Sequence, residues 1–289
     1  MITRRAFLAT APLLAKGAYK PSIAVAVYVW TQQLSRQKKS LADGLEEIFE
    51  GCSKAGYKEI ELMSNLFEGG LADRTFACLK KYKLKLPSVY RGGIYHIQAE
   101  ADKTVKATLE LAALVKPAGA KAIVINCNPK PKKEAKTDGE LAVQLGAINT
   151  LARDLHSRGM RLFIHQHDPE MANNAREWRH ILKGSDPRLV EVNLDTHWVL
   201  RGGLDVMTLL KECGHRLGSL HLRQSNNGVW LEEFTDGDID HRQVAAYLRS
   251  IGFQGWLIVE LAYDKETAIT RPLTESLRLS RLYTGKVFA

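Results

Sequence analysis

At 289 residues the chain is long enough for one large α/β barrel or two small domains. Its 45% hydrophobic and 25% charged residues fit a globular protein and exclude a disordered or coiled-coil chain. The formal charge of +9 raises nucleic acid, a membrane surface and anionic substrates as partners. The basic residues are scattered, however, except for a cluster from Lys130 to Lys136, so no nucleic-acid partner is expected. Cys52, Cys78, Cys127 and Cys213 have no CxxC spacing and read as buried free thiols.

The first residues have a basic start and then a short apolar run. Arg4-Arg5 followed by Phe7-Leu8 resembles a twin-arginine export signal. The run is short and interrupted by Pro12, whereas a spanning helix needs about 20 apolar residues, so no stable membrane insertion is expected. The expected organisation is an export signal over residues 1–20 and one domain over 21–289. The location would be periplasmic, or cytoplasmic if the leader does not function.

Beyond the leader the pattern alternates. Residues 23–30 read as a first strand. Residues 40–55 have helical periodicity, with Leu41, Leu45, Ile48 and Phe49 on one face. A turn at Gly56 leads to a second strand carrying Glu61. A helix over 72–82, a third strand over 84–89 and a loop at Arg91-Gly-Gly follow. A helix over 101–115 stops before Pro117, and a fourth strand follows Gly119. After the Pro- and Lys-rich loop come a helix over 140–158, a fifth strand over 160–167 and a helix over 174–183. Strands ending near Asp195, His221 and Glu260 complete the set, with helices over 204–213 and 241–250 between them. An irregular helix over 266–283 closes the chain.

Eight strands, nearly all followed by a helix, favour a single (β/α)8 TIM barrel. A doubly wound sheet would carry a glycine fingerprint after its first strand, and none occurs between Ala24 and Ser40. In a barrel, the C-terminal strand ends converge on one pocket. That brings together Glu61, His165, His167, Asp195, His197, His221 and Glu260. Mixed imidazole and carboxylate donors suit Mn²⁺, Zn²⁺, Fe²⁺ or Co²⁺ better than thiolate-seeking Cu(I). A metal there would polarise a carbonyl or hold a diolate while a neighbouring base moves a proton. Glu61, His96 and Trp30 are further pocket candidates.

The runs Asp195-Thr-His-Trp, Gly202-Gly-Leu-Asp, Arg216-Leu-Gly-Ser-Leu-His221, Asp236-Gly-Asp-Ile-Asp240 and Gly255-Trp-Leu-Ile-Val-Glu260 resemble the sugar phosphate isomerase/epimerase family. These are xylose isomerase-like TIM barrels, related to inosose dehydratases and endonuclease IV-type enzymes. The resemblance covers the chain after the leader and is most specific in the C-terminal half. It implies a divalent metal, Mn²⁺ first, held by His165, Asp195, His221 and Glu260. It implies Glu260, His165 and His197 as catalytic groups, and His167, Trp198 and Arg223 as substrate contacts.

The family's first ligand is usually glutamate, where this chain has His165; Glu170 from the following loop is the alternative. The family's lysine after the histidine is replaced by Arg223. The implied reaction is isomerisation or epimerisation of a sugar, keto-sugar or cyclitol. Elimination by a sugar or inosose dehydratase is a second reading, and a non-catalytic sugar-binding barrel a third. A homo-oligomer is left open.

Overall fold

The computed structural model describes residues 19–289. The expected export signal falls almost wholly on residues 1–18, outside the described residues. Eight parallel strands close into a barrel: β1 (Ser22–Ala26), β2 (Ile60–Met63), β3 (Ser88–Gly93), β4 (Ala122–Cys127), β5 (Arg161–Ile164), β6 (Val190–Asp195), β7 (Leu217–Leu222) and β10 (Trp256–Val259), with β10 paired to β1. A small antiparallel pair, β8 (Ser225–Asn226) and β9 (Val229–Trp230), leaves the barrel after β7. Ten helices surround these strands: α1 (Tyr28–Arg36), α2 (Leu41–Lys54), α3 (Ala72–Lys81), α4 (Gln98–Val115), α5 (Asp138–Ser157), α6 (Asp168–Gly184), α7 (Thr196–Arg201), α8 (Val206–Cys213), α9 (His241–Ser250) and α10 (Leu273–Val287).

Strands such as Ala-Ile-Val-Ile-Asn-Cys in β4 are buried at every position, as expected for parallel strands covered by helices. Several helices begin where a side chain can satisfy a free N–H group. Ser40 caps α2, and Thr137 with Glu140 forms a capping box on α5. All four cysteines are buried free thiols. No helix among the described residues is long and apolar enough to cross a membrane.

One irregularity positions chemistry. Between β6 and β7 the register moves from Val192 opposite Leu217 to Asn193 opposite Ser219, skipping Gly218. An even register would put Asp195 opposite Leu220; the shift puts it opposite His221. Only glycine fits at the skipped position, because a Cβ on Gly218 would lie 2.4 Å from the Phe163 ring.

Several expected boundaries are corrected. The first strand ends at Ala26, and Tyr28 to Trp30 open α1. Arg91-Gly-Gly belongs to β3, not to a loop, and β5 stops at Ile164 before His165. Helix α6 starts at Asp168, earlier than residue 174, and is kinked where Asn173, Asn174 and Ala175 take positive φ. The final helix is shifted to Leu273–Val287. The Pro- and Lys-rich loop is tied down by ion pairs. Lys130 pairs with Glu140, Lys133 with Asp168, and Lys136 is buried against Glu177 and Gln144.

Candidate active site

His165, Asp195 and His221 offer three ligand atoms that all lie within 4.8 Å of one another, and all three residues are buried. Each sits at or just beyond the C-terminal end of its strand, where the barrel opens. They lie beside a cavity of about 520 Å³ whose lining includes Glu61, Tyr90, Asn126, His167, Trp198, Arg223, Trp230 and Glu260. A larger groove of about 870 Å³ between α4 and α5 lies on the outer surface and contains none of the site residues expected from the sequence.

Both imidazoles of the triad are held by their outer nitrogens. His165 Nδ1 lies 2.9 Å from Asn193 Oδ1, and Asn193 Nδ2 donates to Ser219 Oγ at 2.6 Å. The amide oxygen accepts the Nδ1 proton, leaving Nε2 as a lone-pair donor. Burial, with the His221 charge nearby, pushes the His165 pKa down to about 3 and keeps that ring neutral. His221 Nε2 lies 2.7 Å from Glu61 Oε1, while Ser88 Oγ donates to Glu61 Oε2 at 2.6 Å. A carboxylate behind a ligand histidine is a recurrent metal-site arrangement, because it fixes the ring and raises its basicity. Glu61 therefore orients His221, although it also borders the cavity.

The inner nitrogen, His221 Nδ1, is buried and lacks an aligned hydrogen bond, although Glu260 Oε2 is 3.1 Å away. Burial disfavours charge on this ring, but the Glu260 and Glu61 carboxylates outweigh it and raise the pKa to about 10. The site thus favours positive charge beside Asp195 and Glu260. Two imidazoles, a carboxylate and the adjacent Glu260 form a donor set that fits a divalent ion. Binding would displace the proton that His221 otherwise carries.

Asp195 Oδ1 accepts the backbone N–H groups of His197 at 2.8 Å and Trp198 at 3.0 Å, capping α7. Its Oδ2 is bonded to Arg223, whose Nη2 also lies 2.8 Å from Glu260 Oε2. Burial opposes ionisation of Glu260, but the His221 and Arg223 charges hold its pKa well below the usual carboxylate range.

His167 borders the cavity within a second chain of hydrogen bonds. Tyr90 donates to Asn126 Oδ1 at 2.7 Å, and Asn126 Nδ2 lies 3.4 Å from His167 Nδ1. With Nδ1 accepting, Nε2–H is the ring's remaining donor. Burial, reinforced by the neighbouring His165, pushes the His167 pKa down to about 3, so it acts as a neutral donor.

Not every residue expected at the site has a free group there. His197 is buried with both nitrogens engaged: Trp230 Nε1 donates to Nδ1 at 3.0 Å, and Nε2 lies 2.8 Å from Ser225 Oγ. In this arrangement the ring holds Trp230 rather than presenting a nitrogen to the cavity. Trp30 faces the core, where its ring packs so closely that a Cβ on Gly51 would lie 2.3 Å away. His96 is buried but absent from the cavity wall, and burial and the Lys136 charge lower its pKa. Glu170 lies outside the ligand cluster; its Oε2 accepts the His167 N–H at 3.1 Å, capping α6.

Tyr90 and Trp230 border the cavity but are not apparent from strand-end reasoning, whereas Asn126, also at the cavity, is next to last in β4, within reach of that reasoning. The signal for Trp230 was present. Asn227-Gly228 between short β-prone pairs marks a tight hairpin, and Trp230 follows it directly.

The xylose isomerase-like TIM barrel family model matches residues 49–282. The chain belongs to this family. Among curated relatives of the barrel, an inosose dehydratase of Geobacillus kaustophilus is 25% identical over 79% of this chain and 83% of its own length. An inosose dehydratase of Clostridium perfringens is 25% identical over 84% of this chain and 91% of its own length. Among solved structures, D-psicose 3-epimerase from Clostridium cellulolyticum H10 superposes with a TM-score of 0.73 at 14% identity, over 92% of this chain and 99% of that one. The 3-keto-D-glucoside 4-epimerase of E. coli gives 0.69 at 15% identity, over 92% and 100%. At these identities the superpositions establish the shared barrel fold.

Proposed function

We propose that this barrel is a metal-dependent enzyme that moves a proton on a carbon next to a carbonyl of an uncharged sugar, keto-sugar or cyclitol. The observation that carries this reading is the convergence of His165, Asp195 and His221 within 4.8 Å beside a cavity that Glu260 also borders. These three residues, with Glu260 adjacent, would hold the ion. Mn²⁺ is the first choice for this mix of nitrogen and oxygen donors, followed by Zn²⁺, Co²⁺ and Fe²⁺. A bound ion supplies Lewis acidity to a substrate oxygen and so acidifies the neighbouring C–H.

The chain's own groups do the rest. Glu260, ionised and bordering the cavity, accepts the proton. His167 offers Nε2–H to a substrate oxygen. Trp198 and Trp230 form an apolar wall with ring centroids 5.6 Å apart, suited to the C–H face of a sugar ring. The cations also point to an uncharged substrate. Among the described residues, the Lys and Arg side chains bordering the cavity are Lys133, paired with Asp168, and Arg223, bonded to Asp195 and Glu260. A phosphate would therefore meet, among the described residues, only cations already paired with carboxylates.

Return of the proton to the same or a neighbouring carbon gives isomerisation or epimerisation. Loss of a hydroxyl from the adjacent carbon gives a dehydratase, and the likeness to inosose dehydratases supports that second reading. The test is incubation of Mn²⁺-loaded protein with uncharged keto-sugars and cyclitol ketones in deuterated water. Deuterium in recovered or isomeric sugar supports the first reading, and an unsaturated product supports the second. Glu260→Gln should lower either rate by about 10²–10⁴-fold, the range for loss of a general base. Full activity in that variant, or in metal-stripped protein, would refute the mechanism.

A further inference from the structure

Arg223 is 3% exposed, and its guanidinium lies among the groups that would bind the metal. One nitrogen, Nη2, bonds both Asp195 Oδ2 and Glu260 Oε2. Asp195 Oδ1 is already engaged by two backbone N–H groups, so Oδ2 is the oxygen left for a cation. Glu260 Oε2 is likewise the oxygen nearest His221 Nδ1, at 3.1 Å. The guanidinium therefore binds, on each carboxylate, the oxygen that faces the triad.

Its position is fixed from behind. The guanidinium carbon lies 4.8 Å from the Trp230 ring centroid and 5.2 Å from that of Trp198. Trp230 is pinned to His197, and His197 to Ser225. A guanidinium held against aromatic rings and two carboxylates is a built-in part of the site.

We propose that Arg223 is a tethered cation that competes with the metal for Asp195 and Glu260, and so sets how tightly the metal is held. This rests on the metal-dependent reading above. Without metal, the guanidinium neutralises the buried Asp195 and the largely buried Glu260 and stabilises the empty pocket. A bound metal held by Asp195 and Glu260 would draw on the same carboxylates as the guanidinium and be repelled by its charge. The result is a weakly held, exchangeable ion rather than a permanent one.

The test is calorimetric titration of metal-stripped protein with Mn²⁺ alone and with Zn²⁺ alone, comparing the parent chain with Arg223→Met and Arg223→Lys. Arg223→Met removes the charge at similar side-chain length, and its Kd for metal should fall by about tenfold or more, since unit charges at contact distance interact strongly in a buried site. Arg223→Lys keeps the charge but loses the planar fork, and should fall between the two. The melting temperature of metal-stripped Arg223→Met should drop, and added Mn²⁺ should restore more of it than in the parent.

An unchanged or weaker metal affinity in Arg223→Met overturns the proposal. If that variant does not fold, Arg223→Gln, which also removes the charge, replaces it, and an unchanged or weaker metal affinity there overturns the proposal. The two readings fail separately. Tighter metal binding in the variants of a chain that gives neither deuterium exchange nor elimination would sustain the competition and sink the enzyme. Exchange or elimination with variant-independent affinity would do the reverse.

Discussion

At the scale of single residues, Asn193 controls a tautomer. Its Oδ1 accepts the Nδ1 proton of His165 and so leaves Nε2 unprotonated towards the cluster. Asn193→Ala should weaken Mn²⁺ binding by about 10–100-fold, the usual cost of losing such an orienting partner, with the fold retained. Asn193→Asp should keep most of the affinity, because a carboxylate accepts the same proton. Calorimetric Kd values decide the matter, and equal affinity in parent and Asn193→Ala would remove the tautomer argument. Asn193 was not legible in the sequence. It sits inside an apolar strand, and its role depends on a neighbouring strand's histidine. Asp195, His221 and Glu260 were legible because each ends a short apolar run. Glu61 was legible only as a polar strand residue; its hold on His221 comes from barrel closure across 160 positions of chain.

At the scale of elements, the β6–β7 register is the critical feature. Gly218→Ala should force the Phe163 ring, which is fully buried, to move. Overpacking of this kind costs about 1–3 kcal/mol. Urea unfolding should show that loss, and Mn²⁺ affinity should fall with it, because Asp195 and His221 owe their alignment to the skipped residue. Lost stability with unchanged metal affinity would show that the register shift does not set the ligand pair. Strand order and helix alternation followed from apolar runs and glycine turns in the sequence. The bulge did not, since Gly218 in Arg-Leu-Gly-Ser-Leu reads as an ordinary weak point in a strand. Helix α1 was missed for a similar reason: Tyr28 to Trp30 are β-prone residues, and tertiary packing of Val29, Trp30 and Leu34 overrides that preference.

At the scale of the whole molecule, buried histidines set the response to acid. The pKa values of His165, His167 and His241 are pushed down to about 3, and that of His197 to about 4, mainly by burial. In the unfolded chain an imidazole titrates near about 6.5. Between that value and the folded ones, the unfolded chain binds more protons, so stability falls as the pH drops from about 6.5 towards 3. Glu170 and His221 have the opposite sign. Burial pushes Glu170 up to about 8, and the flanking carboxylates raise His221 to about 10, so their contributions are lost as pH rises through those values. The metal-free protein should therefore lose melting temperature steadily below about pH 6.5. His241 packs edge-on against Phe234, at 4.6 Å. His241→Gln should flatten that slope; an unchanged slope between pH 4 and 7 would assign acid sensitivity elsewhere.

The excursion between β7 and α9 is tied at its own neck. Asp238 accepts from Ser225 Oγ and from the backbone N–H groups of Asn227 and Gly228, while Gln224 bonds the backbone of Ile239 on the far side. The two ends of the excursion are thereby fastened to each other, and the aromatic ring it delivers rests on a histidine of helix α7. Such a clasp separates two evolutionary variables. The stretch within it can lengthen, shorten or change its aromatic residue while the strands carrying Asp195, His221 and Glu260 stay in register. Recognition is then free to diverge between descendants of this chain while the reacting groups stay in place.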